Sequence, residues 1–522
     1  MSVSKNPLLR RLGVATALTV VASTVALAPA TGREPTPAQG SERAAAVIGW
    51  PPAPPAQLVI DTGGAAIGRE DYVPGTVTLD GVTRVTEVRG RGNSTWGWAK
   101  KPYKLKLEED AALVGSREYD EWVLLAGYAD RSSLRTAAAF AIAAQTRLSW
   151  TPRFRFVEVV LNGQPQGLYM LTEQVEEGKG RVNLPDDGYL LEFNQRYLRD
   201  GEPGFRTRRG SAIAFKDPDE VTKQQRREVR RAVTRFERVL YGPDFADPET
   251  GYTAYVNVRK LIDWYLVEEL FANQDSNFQS SVNFSWVPGK RFVFGPVWDF
   301  DLSAGTRWRA SSQPDTWVTR VGRHWVARML QDPAFSARVK SRWARLKPIA
   351  RQVVSQIPAA SATLAPAAEA DWARWHASGD LDWTHHGSTR QAEVDFLGDW
   401  LTKRIQWLSN NEVRLGGIRQ RTPERERTVW VPVQLQSVPG TAVDVAYVVQ
   451  GGTATPGEDF VAEQGSVTFP AGQAERVIPV RVLDDTVTEG RETVVVTITA
   501  ASGDVVVGSP STTVVAIDAN RR

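Results

Sequence analysis

Three aspartates, Asp275, Asp299 and Asp301, have the residue type and spacing best suited to a chemical role in this chain. They lie in two nearby runs, 273–278 (NQDSNF) and 294–305 (FGPVWDFDLSAG). In phosphoryl transfer, one acidic group orients the nucleophile while others hold a divalent metal against phosphate oxygens. Asp299 and Asp301 alternate on a predicted strand, so they face one side and repel unless a cation lies between them. The alternative is structural, with Asp275 capping a turn and the other two at a solvated strand end.

The composition limits the class of protein. A chain of 522 residues is too long for one hydrophobic core. Its 63 basic and 60 acidic side chains give a formal charge of +3, so no overall field favours nucleic acid as a partner. The chain has no cysteine, which excludes disulfides, thiolate metal sites and a cysteine nucleophile. With four histidines, histidine-rich metal chemistry is not expected.

The N-terminus has the pattern of an export signal. Lys5, Arg10 and Arg11 precede an apolar run, 12–27, that ends in small residues. This pattern predicts a secretory signal peptide over residues 1–28. The competing interpretation is a membrane anchor, which needs about 20 apolar residues. No other segment is apolar enough to span a bilayer, so we expect a secreted, extracellular or cell-surface-associated protein with no membrane span after signal cleavage.

The elements that must position the aspartates fall into distinct regions. Residues 29–56 are rich in Pro and Ala and predict a disordered linker. Residues 57–410 are β-rich at first and mainly helical later, which predicts a two-lobed α+β domain with the acidic cluster just after the join. Residues 411–424 predict a polar linker. Residues 425–522 alternate between short strands and turns, which predicts an all-β, immunoglobulin-like sandwich.

Several sequence blocks follow one another in order between residues 57 and 410. They are RGRGNSTW from Arg89, KKPYKLKL from Lys100, WVLL from Trp122, DRSSLR from Asp130, the strand pair 157–173, NQD from Asn273 and GPVWDFD from Gly295. In order and spacing together, the blocks resemble the spore-coat protein H (CotH) family of secreted, atypical protein kinases. The resemblance implies a kinase-like fold and an enzyme that transfers the γ-phosphoryl group of ATP to Ser or Thr of a protein, with Mg²⁺ or Mn²⁺.

The resemblance also implies roles for the three aspartates. Asp275 would be the catalytic aspartate, and Asp299 and Asp301 would be the metal ligands. Kinase-like catalytic loops often carry Asn five residues after the catalytic Asp. That place holds Ser280 in this chain, with Asn277 and Asn283 nearby.

A polar loop and a basic strand offer contacts for a nucleotide. The loop RGNS presents backbone N–H groups of the kind that hold phosphate oxygens. The strand after it alternates lysines with apolar residues, so both lysines should face one side, and either could pair with a glutamate in the manner of a kinase. The alternative is a solvated basic face. The predicted nucleotide-binding residues are Arg91, Asn93, Ser94, Lys104, Lys106 and Glu173.

The C-terminal region contains three blocks of its own, GTATPGEDF at 452–460, GSVTFPAG at 465–472 and DDTVTEGRET at 484–493. They resemble a Calx-beta domain, whose calcium-binding members gather acidic residues from loops at one end of the sandwich. By this resemblance the calcium ligands would be Asp459, Asp484, Asp485 and Glu489. The alternative is a spacer, docking or adhesive module.

Two other functions remain open on the sequence. One is a catalytically inactive extracellular coat, cell-wall-binding or adhesion protein on the same fold, with a wall or matrix polymer as its partner. The other is a glycoside hydrolase that uses Asp299 and Asp301. The second is weaker, because residues two apart on a strand lie on one side and cannot flank a sugar ring. We therefore expect a kinase whose partner is a protein with Ser or Thr.

Overall fold

The computed structural model describes residues 48–518, except 307–308, 321, 377–385, 410, 417–419, 424–427, 437–438, 440–441, 472, 485–488, 503–504 and 509. The predicted signal peptide and the first part of the predicted linker lie outside the described residues. Within the described ranges, no helix combines the length and the apolar character that crossing a bilayer requires.

The end of the predicted linker is packed against the rest of the protein. Trp50 is fully buried, and its Nε1 donates a hydrogen bond of 2.8 Å to Oε1 of Gln356. Ile48 is buried in the same hydrophobic core. The prediction of a disordered linker over residues 29–56 is therefore wrong at its C-terminal end. The prediction followed the proline-rich composition and gave too little weight to Ile48 and Trp50, which are buried in the core.

A closed barrel of seven strands follows. The strands are β1 (Ala56–Asp61), β2 (Val73–Leu79), β3 (Val82–Gly90), β4 (Tyr103–Ala111), β5 (Tyr119–Leu125), β6 (Phe154–Leu161) and β7 (Gln164–Glu173). They pair in the order β1-β2-β3-β4-β5-β7-β6, and β1 pairs parallel with β6 to close the barrel. Leu58, Leu105 and Trp122 are among the side chains buried inside it, because alternate residues of each strand point inwards.

Two tight turns explain part of this topology. Asp80 and Gly81 both have positive φ, of 54° and 76°, between β2 and β3. Asn162 and Gly163 have positive φ of 49° and 75° between β6 and β7. Two successive positive φ angles are what a type I′ hairpin turn requires, and Asp-Gly and Asn-Gly adopt them readily. Both dipeptides join antiparallel strands, β2 with β3 and β6 with β7.

A second sheet and a set of helices form the next layer. The strands are β8 (Tyr189–Phe193), β9 (Gly204–Arg206), β10 (Ala212–Asp217), β11 (Val282–Trp286) and β12 (Val293–Phe294), in the order β12-β11-β8-β10-β9. The helices are α1 (Arg135–Ala143), α2 (Lys223–Leu240), α3 (Val258–Leu270), α4 (Trp325–Met329), α5 (Pro333–Ser355), α6 (Ile357–Trp375) and α7 (Arg390–Ser409). The largest hydrophobic core joins one face of the sheet to the helices through aromatic contacts such as Phe193 and Phe284 with Trp325. The mixed content, β-rich first and helical later, is as predicted.

The C-terminal region is all β, as predicted, and has a separate core. Its strands are β13 (Asn411–Leu415), β14 (Gln420–Pro423), β15 (Val429–Leu435), β16 (Val443–Gly451), β17 (Glu463–Phe469), β18 (Glu475–Val480), β19 (Glu492–Ala501), β20 (Val505–Val507) and β21 (Thr512–Asp518). One sheet has the order β18-β15-β13-β20 and the other β14-β21-β19-β16-β17.

Two stretches of the predicted polar linker, 411–415 and 420–423, take part in this sandwich as β13 and β14. β13 lies between β15 and β20, and β14 pairs with β21. Val413 and Leu415 are 0% and 1% exposed. The linker prediction is wrong here because the charged residues around these two apolar side chains concealed a short alternating strand.

The position of β13 between β15 and β20 leads to a prediction about the stability of two fragments. A fragment of residues 411–522 should melt cooperatively, whereas a fragment of residues 425–522 should be largely unfolded. The shorter fragment loses the burial of Val413 and Leu415, about 1.5–3 kcal/mol for each side chain, and the hydrogen bonds of a central strand on both sides. Thermal circular dichroism of both fragments is the measurement. Equal melting temperatures would show that β13 is dispensable.

A second prediction concerns Glu412 in β13, which is 2% exposed. Burial raises the pKa of its carboxyl from 4.5 to about 7, although Arg414 and Arg320 act in the opposite direction. Because the pKa in the folded protein is the higher one, this group's contribution to stability is complete below about pH 4.5 and is lost as the pH rises through about 7. The loss amounts to about 3 kcal/mol at 1.36 kcal/mol per pKa unit.

Glu412→Gln should therefore match the wild type at pH 4 and be more stable than it at pH 8. Guanidinium unfolding of both proteins at the two pH values measures the difference. Parallel pH profiles would show that Glu412 does not titrate between them.

Candidate active site

A cavity of about 410 Å³ lies between the barrel and the five-stranded sheet. The barrel contributes Phe156 and Met170, and the sheet contributes Glu192 from β8 and Asn283 from β11. Seven of the residues predicted from the sequence line this cavity, namely Arg91, Asn93, Ser94, Lys104, Asp275, Asp299 and Asp301. Arg91 and Asp301, which are 210 positions apart in the chain, thus meet at one place.

The aspartates converge through loops and not through a strand. Asp275 follows the C-terminal end of α3. β12 ends at Phe294, and Asp299, with φ of +67°, belongs to the irregular segment beyond it. The predicted strand alternation of Asp299 and Asp301 is therefore wrong. The buried side chain of Phe300, against Phe271, instead anchors the segment between the two carboxyl groups.

Hydrogen bonds fix the position of Asp299. The side-chain amide of Asn273 donates to the backbone oxygen of Asp299 at 3.1 Å. Oγ of Ser281 donates to Oδ2 of Asp299 at 3.0 Å. The run 273–281 therefore connects the loop of Asp275 to the loop of Asp299.

The carboxyl groups around this loop affect one another. Burial raises the pKa of Asp301 well above its usual range, and Asp299, Asp275 and Asp130 raise it further. Crowded carboxylates are stabilised by a cation between them. Their oxygens are hard ligands of the kind that Mg²⁺ and Mn²⁺ prefer, so the donor set fits such an ion.

The DRSSLR block contacts the segment that follows Asp301. Asp130 and Arg135 form a buried ion pair with an Oδ1–Nη1 distance of 2.6 Å. Nε of Arg135 donates to the backbone oxygens of Ser303 and Ala304 at 3.1 and 3.2 Å. Oγ of Ser132 donates to Asp130 at 2.6 Å. The block therefore holds the chain just after Asp301 in place.

The RGNS loop forms the opposite wall of the cavity. The guanidinium of Arg91 lies 5.9 Å from the ring of Trp298. Burial lowers the pKa of Arg91, and Asp299 and Asp301 raise it, so this cation is close to both carboxylates. Gly92 has φ of +81°, and a Cβ there would lie 2.0 Å from Oγ1 of Thr95, so only glycine fits this turn.

Two of the predicted nucleotide contacts, Lys106 and Glu173, do not reach the cavity. Lys104 does line the cavity, and its Nζ forms an ion pair of 2.6 Å with Glu121. Lys106 is on the same side of β4 but is exposed beyond the cavity. Glu173 aligns with Trp122, which aligns with Leu105, so it points into the barrel. The predicted pairing of either lysine with Glu173 is wrong, because Lys104 and Glu173 project from opposite faces of the sheet.

A cluster that the sequence reasoning missed completes the site. Nζ of Lys216 lies 2.6 Å from Oε1 of Glu202 and 3.7 Å from Oε2 of Glu192. Burial lowers the pKa of Lys216, but Glu192 and Glu202 outweigh this effect and the pKa is raised. The backbone N–H of Ser281 donates to Glu192 at 2.6 Å, which links the cluster to Asp299.

The sequence contained a weak signal for this cluster. Lys216 and Glu192 are charged residues near the ends of mainly apolar strands, AIAFKD and YLLEF. A charge in a buried strand is uncommon unless it has a partner. What the sequence lacked was the pairing of β8 with β10, which brings the two side chains together.

The place five residues after Asp275 is occupied by a serine that supports the loop. Oγ of Ser280 donates to the backbone oxygen of Asp275 at 3.4 Å. Asn283 on β11 lines the cavity and donates its side-chain N–H to the backbone oxygen of Ser281 at 3.3 Å. An asparagine is therefore present at the site, three residues later than the kinase-like spacing.

In the sandwich, carboxylate oxygens of Asp459, Glu489 and Glu492 lie within 4.8 Å of one another. The buried Asp459 also accepts a 2.6 Å hydrogen bond from the backbone N–H of Thr455. Asp459 and Glu489 were predicted as calcium ligands, and Glu492 was missed because it belongs to β19 and not to a loop. Asp484 is exposed and lies outside this group, and Asp485 is not among the described residues.

Comparison with known proteins agrees with the sequence blocks. A family model described as CotH kinase protein matches residues 88–408, and one described as Calx-beta domain matches residues 414–520. A solved structure of the apo form of the Calx CBD1 domain is 27% identical, with 21% of this chain and 97% of that chain covered and a TM-score of 0.20. CBD12 from CALX1.2 is 28% identical, with 20% and 44% covered and the same TM-score.

The first family model covers more than half of the chain, and the two models occur in the predicted order. The chain belongs to the CotH kinase protein family and carries a Calx-beta domain at its C-terminus.

Proposed function

We propose that this protein is a metal-dependent protein kinase that transfers the γ-phosphoryl group of ATP to a Ser or Thr hydroxyl. The observation that carries the proposal is the meeting of Asp275, Asp299 and Asp301 at one cavity, opposite the cations of Arg91 and Lys216. Catalysis of phosphoryl transfer needs little more than positioning and charge stabilisation, and this cavity has groups for both.

We assign each group of the cavity a role in this reaction. Asp299 and Asp301 would hold Mg²⁺ or Mn²⁺, with the amide of Asn283 nearby as a further oxygen donor. When bound, the ion would neutralise negative charge on the phosphate oxygens. Arg91 and Lys216 would contact the phosphates, and Glu192 and Glu202 orient Lys216. The apolar part of the cavity, which includes Leu125, Phe156 and Met170, would accommodate the base. The barrel and the helical region would act as the two lobes.

The chemical step then follows from the position of Asp275. The substrate hydroxyl oxygen forms a bond to the γ-phosphorus as the bond from that phosphorus to the β–γ bridging oxygen breaks. The hydroxyl proton passes to the carboxylate of Asp275, and ADP is the leaving group. This role requires Asp275 to be ionised and within hydrogen-bond reach of the bound hydroxyl.

The export signal predicted at residues 1–28 would place this activity outside the cytoplasm, in an extracellular or cell-surface location. Incubation of the purified chain with ATP and Mn²⁺, followed by mass spectrometry, tests the activity. We expect phosphorylated Ser or Thr in the chain itself or in an added protein, and none when EDTA is present. Phosphorylation that persists with EDTA would contradict the metal requirement.

We also propose that the Calx-beta domain binds Ca²⁺ through Asp459, Glu489 and Glu492. Three carboxylates are fewer than the six to eight oxygen ligands of a strong site, so the affinity should be low, with Kd about 10⁻⁴ to 10⁻³ M. Glu492→Gln should weaken binding at least about tenfold in calorimetric titration, whereas Asp484→Asn should have little effect. Equal weakening in both variants would contradict this choice of ligands.

A further inference from the structure

We infer that the exposed face of helix α2 is a docking surface for an acidic segment of a protein. The helix has 18 residues, and its basic side chains are all exposed. They are Lys223, Arg226, Arg227, Arg230, Arg231, Arg235 and Arg238. Against these seven the helix has two acids, Glu228 and Glu237, so its formal charge is +5. The whole chain has a formal charge of only +3.

The opposite face of the helix is fully used by the fold. Val229, Val233, Phe236 and Leu240 are buried in the main core. Glu237 is also buried, and it accepts hydrogen bonds from Ser211 at 2.7 Å and from Trp325 at 3.1 Å. Packing of this face fixes the orientation of α2, so the seven basic residues project into solvent.

These cations have no charge partner within the part of the chain that the structure describes. None of the seven is in an ion pair of 4.0 Å or less. Arg226 and Arg230, like Arg227 and Arg231, are four residues apart and repel each other on the helix surface. A partner that supplies carboxylates would relieve this repulsion. Six of the seven are arginines, whose planar forks bind carboxylates in a bidentate manner.

The dimensions and the chemistry of the surface favour a peptide over a nucleic acid. Lys223 and Arg238 are separated by about 22 Å along the helix, at 1.5 Å per residue. An extended peptide of about seven residues covers this distance. Nucleic-acid surfaces commonly add aromatic side chains for base stacking, and the exposed positions of α2 have none.

The surface is separate from the cavity. Glu192 and Lys216 point to the cavity, whereas Tyr189 and Phe215 on the same strands point into the core that α2 covers. Thr222, the N-cap of α2, is six positions after Lys216, so the helix begins no more than about 21 Å from Lys216. An acidic segment bound on α2 would hold the rest of its protein near the cavity. The choice of a protein as the occupant rests on the proposed kinase function.

Binding to the full chain tests this inference without depending on catalysis. The probe is a fluorescent peptide of alternating glutamate and serine, measured by fluorescence anisotropy. The test variant is Arg227→Gln/Arg231→Gln/Arg238→Gln, which keeps the helix propensity of the surface. The matched control is Arg338→Gln/Arg345→Gln/Arg351→Gln on α5, where the arginines are also exposed.

We expect Kd for the peptide to rise at least about tenfold in the α2 variant and less than about twofold in the α5 variant. In the wild type, Kd should rise when salt is added. Equal weakening in both variants would overturn the inference, since the attraction would then be unspecific. Binding of duplex DNA with the same dependence on α2, and no binding of the peptide, would also overturn it. Absence of phosphoryl transfer together with α2-dependent peptide binding would refute the kinase proposal and leave the docking surface supported.

Discussion

Asp275→Asn should lower the rate of phosphoryl transfer by about 10²-fold or more, while ATP binding stays near the wild-type level. The amide has nearly the same size as the carboxylate, but it cannot accept the proton of the substrate hydroxyl. Asp275 lines the cavity, and its loop is held by the hydrogen bond from Ser280 to its backbone oxygen, which the substitution leaves intact. Initial rates of transfer and the ATP-induced shift in melting temperature measure the two properties separately.

The matched control is Asp244→Asn, which changes an exposed aspartate just beyond α2 and outside the cavity lining. It should leave both properties unchanged. A wild-type rate of transfer in Asp275→Asn would remove this residue from the role of base. Loss of ATP binding in that variant would instead assign Asp275 to the nucleotide or metal site.

Asp299→Ala should abolish the rise in melting temperature that ATP and Mn²⁺ together cause in the wild type. Asp299 is close enough to Asp301 to raise its pKa, so the two carboxylates share one region of the cavity. Removal of one leaves a single carboxylate from this pair, which is too few for a divalent ion that depends on oxygen ligands. Thermal shift assays with ATP alone, Mn²⁺ alone and both together measure the effect.

Ser281→Ala is the control for this prediction. It removes the hydrogen bond to Oδ2 of Asp299 but keeps the carboxylate. It should therefore weaken binding of the metal and nucleotide by about 1 kcal/mol and reduce the thermal shift only in part. An undiminished shift in Asp299→Ala would place the metal elsewhere.

The features that could be predicted from the sequence are those set by neighbouring residues. Asp80-Gly81 and Asn162-Gly163 specify hairpin turns through their positive φ angles, and the structure has both hairpins. The family could also be predicted, because it depends on the order of several blocks. The three aspartates belong to these blocks, so they too were accessible from sequence.

The features that could not be predicted depend on which strands pair. The meeting of Lys216 with Glu192 requires β10 to lie beside β8, and nothing local to either strand specifies that neighbour. The predicted pairing of Glu173 with Lys104 or Lys106 was wrong for the same reason. The register of β4, β5 and β7 directs Glu173 into the barrel, and no strand alone specifies that register. β13 was missed because its partners, β15 and β20, come later in the chain.

The most direct measurement of the central claim compares ATP labelled at the γ-phosphorus with ATP labelled at the α-phosphorus. Each is incubated with the full chain and Mn²⁺, and the label on protein Ser and Thr is counted. We expect label from γ-labelled ATP only, and almost none in Asp275→Asn. Label from α-labelled ATP would indicate transfer of the nucleotide instead of the phosphoryl group. No label from either, in a chain that still shows the ATP-induced thermal shift, would contradict the claim and favour a binding protein on the same fold.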